Sequence, residues 1–180
     1  ALFNKMKTVA IVPSAGFGKR LGLKVKKPFA KLGGRPLVTY ALSVLERSRD
    51  IDSVIIASEK ECTGYFKKLV RDHSFEKVAQ IVVGGATRFQ SVKNCLEMVD
   101  ESFDIVLIHD AARPFLTDDM IRASIVCAKK CGGCIAAVPE NDTVKLAGRG
   151  GLIKKTLDRS RIYRAQTPQT FRRDIIVKAY

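Results

Sequence analysis

Thr8-Val9-Ala10-Ile11-Val12-Pro13-Ser14-Ala15-Gly16-Phe17-Gly18-Lys19-Arg20 is the stretch whose reading decides the fold. Its first half is a short apolar run rich in branched side chains, the pattern of a buried strand. Its second half is made mostly of small residues, and two cations follow at once. Doubly wound α/β proteins place a phosphate where such a strand opens into such a loop, because small residues let backbone N–H groups approach an anion. Two well-known fingerprints can be tested and both fail. A dinucleotide loop, G-x-G-x-x-G, would need glycine where Leu21 stands, with Gly22 one residue late. A Walker loop would need glycine at Pro13 and a hydroxyl at Arg20. Seven cationic residues between 19 and 35 (Lys19, Arg20, Lys24, Lys26, Lys27, Lys31 and Arg35) crowd the same loop, a density that suits a triphosphate better than a dinucleotide. The bland alternative is a tight strand-to-helix turn with a solvated flank of lysines.

Outward from this strand the chain keeps one rhythm. A helix is expected over Leu37–Glu46, opened by Pro36, with Leu37, Tyr40, Ala41, Val44 and Leu45 on one face. Strands are expected at Ser53–Ala57, Gln80–Val83, Asp104–His109 and Cys134–Val138, with helices near Lys60–Val70, Arg88–Val99 and Asp118–Lys130. Apolar strands alternating with amphipathic helices predict an α/β fold, a Rossmann-like doubly wound and mostly parallel sheet. Val144–Leu157 breaks the rhythm: strand, glycine-rich turn, strand, where a helix was due, so a projecting hairpin arm is expected over about 142–158. A last helix begins near Arg172.

The 180 residues are 46% hydrophobic and 28% charged, which fits one globular domain over 1–180 and argues against disorder. No apolar run approaches the ~20 residues of a membrane helix, and the start of the chain does not read as a signal peptide. Five cysteines, an odd number, imply no disulfide framework, so a reduced cytoplasmic protein is expected. The net charge of +14 is unevenly spread. Residues 1–45 carry nine Lys or Arg and no acid, and residues 145–180 carry ten against two, while the middle is slightly acidic. Nucleic acid, an anionic membrane or a small polyphosphate would each suit such ends.

Four later segments narrow the choice: Gly84-Gly85-Ala86-Thr87-Arg88-Phe89-Gln90-Ser91-Val92, His109-Asp110-Ala111-Ala112-Arg113-Pro114, Asp142-Thr143-Val144-Lys145 and Arg164-Ala165-Gln166-Thr167-Pro168-Gln169. With the opening loop and Lys27-Pro28-Phe29, they resemble in order and spacing the 2-C-methyl-D-erythritol 4-phosphate cytidylyltransferase family of non-mevalonate isoprenoid synthesis. The resemblance runs from about Val9 to Phe171. It implies a fold of the nucleotide-diphospho-sugar transferase type, CTP and a polyol phosphate as substrates, Mg²⁺ or another divalent cation, and a homodimer joined through the hairpin arm. It also implies a C-terminal part of the family domain beyond this chain. One departure stands out: Pro28 follows Lys27 where the family usually has glutamine, which leaves Lys26 as a competitor for the functional lysine.

Carried over position by position, the resemblance assigns Arg20 and Lys27 to transition-state charge, and Ser14, Ala15, Gly16, Gly18, Gly85 and Ser91 to the nucleotide. Arg113, Thr143 and Thr167 fall to the second substrate, with Arg159 gripping its phosphate. Asp110 falls to the metal, and the residues themselves support this, since a carboxylate closing an apolar strand beside a polyphosphate is a natural Mg²⁺ ligand. Physics alone does not separate cytosine from uracil. Ribitol 5-phosphate or another sugar phosphate is the rival acceptor.

Two other classes compete. Cys127, Cys131 and Cys134 have the C-x3-C-x2-C spacing of radical iron–sulfur enzymes, although core thiols are the expected reading. Nucleic-acid binding would suit the basic ends, but no RNP, KH or zinc signature appears and aromatic stacking partners are not interleaved. Neither a specific nucleic acid nor a membrane is an expected partner.

Overall fold

The structure, a computed structural model, describes residues 6–15 and 29–180. Strand β1 (Thr8–Pro13) lies at the middle of a six-stranded sheet with its first five residues at 0–1% exposure. A short β2–β3 ribbon (Lys31–Leu32 and Arg35–Pro36) turns through Gly33 and Gly34, both at positive φ, as a two-residue hairpin requires. It leads into α1 (Leu37–Arg47), and then come β4 (Ser53–Ser58), α2 (Thr63–Asp72), β5 (Val78–Val83), α3 (Arg88–Leu96) and β6 (Ile105–Ile108). After these, α4 (Asp118–Cys131), β7 (Gly133–Pro139), the arm strands β8 (Lys145–Ala147) and β9 (Ile153–Thr156), β10 (Tyr163–Arg172) and α5 (Arg173–Ala179) complete the described fold.

The sheet order is β5-β4-β1-β6-β10-β7. The first four strands run parallel, while β10 is antiparallel to both β6 and β7. Side chains of the central strands alternate between two cores. Ala10, Val12, Val54, Ile56, Ile105 and Leu107 meet Val38, Leu42 and Leu45 of α1, Phe66 and Leu69 of α2, and Ile121 and Ile125 of α4. Val9, Ile11, Ile55, Val106 and Ile108 face the other way, onto Val92, Cys95 and Leu96 of α3 and Ile176 of α5. Each such branched side chain contributes about 1.5–3 kcal/mol through burial, which makes this double-faced packing the main support of the fold.

The expected architecture holds, with three corrections. The buried face of α1 is Val38, Ala41, Leu42 and Leu45, so Leu37, Tyr40 and Val44 sit at its margins. Strand β10 was not anticipated, because Pro168 interrupts its apolar alternation. The sheet accommodates Pro168 at an irregularity: between Ala165 and Gln169 the chain advances four residues while β7 advances two, so no ladder bond is needed from the proline. The three clustered cysteines are not core residues either. Cys131 is exposed, Cys127 and Cys134 are half-buried, and only Cys95 is enclosed, with burial pushing its thiol up to about 12.

Candidate active site

Connectivity puts the site where it is. From β1 the chain steps outward through β4 to β5, then returns on the opposite face to place β6 on β1's other side. The crevice at that reversal, beyond the C-terminal ends of β1 and β6, is where open α/β sheets bind ligands. Ladder-like bonds carry the loops outward together: the Ser14 N–H donates to Ala57 O at 2.8 Å, Gly84 to Ser58 O at 2.8 Å and His109 to Ile11 O at 2.9 Å.

Two of these loops touch. A Cβ on Gly84 would lie 2.5 Å from the Ala15 Cβ and 2.8 Å from Ser91 Oγ, so only glycine lets the first loop lie against the second. Thr87 caps α3 by accepting from the Gln90 N–H, which aims the start of that helix at the crevice. Ser91 is fully buried. Its hydroxyl accepts from the Gly85 N–H at 3.1 Å and donates to Thr87 O at 2.9 Å, so it shapes the Gly85 loop from beneath rather than facing the cleft. Ser14 is also mostly buried, its hydroxyl turned back to Val12 O at 3.3 Å.

At the end of β6 the Asp110 carboxylate is held from both sides. Arg88 Nε donates to Oδ1 at 2.8 Å and Arg113 Nε to Oδ2 at 3.1 Å. Arg88 also donates through Nη2 to Gln169 Oε1 at 3.0 Å, and Arg113 through Nη1 to Gln166 Oε1. Burial disfavours the charged carboxylate, but the two guanidiniums outweigh it and hold Asp110 below the usual carboxylate range.

His109 and Thr167 form the layer below. His109 is 1% exposed, and its Nε2 faces Arg113 O at 3.0 Å. A carbonyl can only accept, so Nε2 carries the proton and Nδ1 accepts from the Thr167 hydroxyl at 3.0 Å. That leaves the Thr167 oxygen to receive the Asp110 N–H at 3.3 Å. Burial pushes the His109 pKa down, in keeping with a neutral ring. Thr167, expected at the second substrate, is 4% exposed; it donates to His109 and receives the Asp110 N–H.

The other expected residues fall in a second group. Arg159 Nη1 donates to Asn141 O at 2.7 Å and ties together the two roots of the arm, with Thr143 exposed beside it. Among the described residues no hydrogen bond or ion pair joins this group to Asp110, Arg113 or Thr167. Gly16, Gly18, Arg20, Lys26 and Lys27 lie outside the described residues. Arg88, Gln166 and Gln169 were missed as site residues. They stand inside the quoted motifs, but nothing local pairs Arg88 with partners 22 and 81 residues away.

Among the described residues no three His, Cys, Asp or Glu side chains gather to hold a metal ion. The crevice offers a divalent cation one carboxylate, and phosphate oxygens of a bound nucleotide would supply the remaining ligands, the usual arrangement for Mg²⁺. Because both Asp110 oxygens are engaged by arginines, the donor set suits only a cation that arrives on a polyphosphate and displaces one of them. A cleft of about 460 Å³ at the opposite edge, beside Met6 and Asp104, is lined by charges that largely pair with one another, Arg172 with Asp174 and Arg173 with Glu101.

A glycine-floored crevice at the switch point, closed on one side by a strand-end carboxylate, suits an α/β protein that binds a phosphorylated ligand, and the relatives of this chain give the class: a nucleotidyltransferase. The model of the 2-C-methyl-D-erythritol 4-phosphate cytidylyltransferase family matches residues 8–180, and the chain belongs to that family. A relative of that name from Alkaliphilus oremlandii is 40% identical over 178 residues, 98% of this chain and 75% of the relative. Another, from Clostridium acetobutylicum, is 41% identical over 172 residues, covering 95% and 75%. The crystal structure of 4-diphosphocytidyl-2C-methyl-D-erythritol synthase from Anaerococcus prevotii superposes with a TM-score of 0.84 at 27% identity, covering 97% of this chain and 73% of that one. Among the described residues no helix is long and apolar enough to cross a membrane.

Proposed function

We propose that this chain transfers the cytidylyl group of CTP to 2-C-methyl-D-erythritol 4-phosphate, releasing pyrophosphate. The observation that carries the reading is the meeting of the Ala15, Gly84–Gly85 and Asp110 loops in one crevice on a chain of this family. A phosphate oxygen of the acceptor attacks the α-phosphorus of CTP; the new P–O bond forms as the bond to the bridging oxygen breaks, and pyrophosphate leaves with that electron pair. The nucleophile is already anionic, so no base is required. The difficulty is charge, and catalysis is positioning plus fixed cations. Arg20 and Lys27 are assigned to the charge on the α-phosphoryl group, and Arg159 and Thr143 to the acceptor, its phosphate gripped by the Arg159 fork. Asp110 is assigned to a divalent cation, Mg²⁺, which when bound neutralises charge on the triphosphate.

The reading includes a homodimer. The arm leaves Leu146 at 50%, Leu152 at 77% and Ile153 at 65% exposure, and a lone two-stranded ribbon is marginal in water. A second copy packed across a two-fold axis would cover them and bring Thr143 and Arg159 to the partner's crevice. It also places the enzyme in the cytoplasm, supported by three neighbouring free thiols that an oxidising compartment would pair. The test is pyrophosphate release from CTP against a panel of polyol phosphates. The reading expects methylerythritol phosphate to be preferred by a large factor in kcat/KM; a preference for ribitol 5-phosphate would reassign the acceptor, and turnover with none would refute the reading.

A further inference from the structure

Both oxygens of the one carboxylate assigned to the cation are already taken, and by different means. Arg113 lies three residues along the same loop, anchored there by Gln166 and by its own carbonyl on His109. Arg88 comes from another element, the first residue of α3, and crosses to Asp110 Oδ1 at 2.8 Å with Gln169 Oε1 at 3.0 Å steadying its other arm. Its side chain is 42% exposed, so it has room to leave, whereas Asp110 at 30% has little. Three residues before it stands Gly85, in the loop assigned to the nucleotide, and the Ser91 hydroxyl ties that loop to α3.

We infer that Arg88 is a positioning residue that latches Asp110 against metal, and that a cation carried by the triphosphate takes Oδ1 as Arg88 swings from the carboxylate to a phosphate oxygen. This rests on the nucleotidyl-transfer reading. A bare divalent cation must displace a charge-assisted hydrogen bond and gains nothing for the freed guanidinium. A cation on a triphosphate brings the guanidinium a new anion. The apparent affinity of the site for free metal is thus the intrinsic affinity multiplied by the fraction of molecules in which Asp110 is unlatched. The exchange also couples the α3 loop to the carboxylate.

The experiment titrates Mn²⁺ and reads free ion by electron paramagnetic resonance, first without nucleotide. Arg88→Ala is expected to bind Mn²⁺ alone about tenfold more tightly than the natural protein, and adding Asp110→Asn should abolish the gain. Gln169→Ala keeps every charge but loses the bond that steadies Arg88, and should tighten Mn²⁺ about twofold to threefold. Equal Mn²⁺ affinity in the natural protein and Arg88→Ala, with circular dichroism confirming that the variant is folded, overturns the latch. A gain in Arg88→Ala with none in Gln169→Ala reduces the effect to bulk charge and overturns it too. A second titration with CTP, corrected for the Mn²⁺ that CTP holds in a protein-free control, separates the two ideas. If the natural protein binds Mn²⁺ no better with CTP, the nucleotide reading and the exchange fail together; if CTP tightens Mn²⁺ but the nucleotide-free affinities are equal, only the latch fails.

Discussion

The crevice edge and the arm are built on opposite terms. His109, Asp110 and Arg113 follow the end of the central strand β6 and Thr167 lies on its neighbour β10, each answered by a hydrogen bond, with the core directly below. The arm is held by the Arg159–Asn141 bond, by Leu157 N to Val144 O and by its own short ladder, and it turns its larger apolar side chains to solvent. The crevice is organised within one chain. On the proposed reading, the arm carries Thr143 and Arg159 on a support that a second copy would finish. The lesson is that the crevice side is braced by the sheet within one chain, whereas the arm leaves apolar side chains that only a further surface would cover.

The largest expected effects test the crevice side. Lys27→Ala and Arg20→Ala should each lower kcat by ~10²-fold or more with the melting temperature unchanged, as for other electrostatic stabilisers. Asp110→Asn should weaken metal-dependent CTP binding, read by calorimetry with and without chelator. A severe Lys26→Ala beside a mild Lys27→Ala would move the functional lysine by one.

Next comes the arm. Mixing an Arg159→Ala chain with a Lys27→Ala chain should restore part of the activity once subunits exchange, because the mixed dimer holds one intact pocket. Leu152→Asp with Ile153→Asp should lower the sedimentation coefficient toward a monomer while the melting temperature shifts little, since both side chains are exposed in one chain. No rescue despite proven exchange would make each crevice self-sufficient and erase the contrast.

The smallest effect concerns the layer beneath Asp110. The folded-state pKa of His109 lies below the ordinary 6.5, so below that pH the unfolded chain takes up a proton that the folded chain resists. This contribution to stability is intact above about pH 6.5 and is lost as the pH falls toward the depressed value. Thermal melts between about pH 8 and pH 5 should show a fall that is smaller in His109→Gln. An identical fall would assign it to other groups.

Much of this was legible in the order of residues. Thr8–Pro13 is a buried strand because branched apolar side chains in an unbroken run cannot be solvated. The need for glycine at Gly84 was not legible, since the Ala15 side chain that excludes a Cβ there is brought by the fold. Strand β10 was not legible, since Pro168 masks the period and only the gap between β6 and β7 makes the segment a strand. Thr167 and Ser91 carry hydroxyls in the quoted motifs, and only the structure shows that both also brace the crevice loops from within.

By itself, then, the sequence determined the alternation of strands and helices, the crevice loops, the projecting arm and the family, because these depend on neighbours a few residues apart. Only the tertiary structure decided that Arg88 reaches Asp110, that Arg113 shares it and that Gln166 and Gln169 steady the pair. A guanidinium finds its carboxylate through space: α3 and β6 meet at the crevice because the chain reverses direction across the sheet, and no local pattern encodes that crossing.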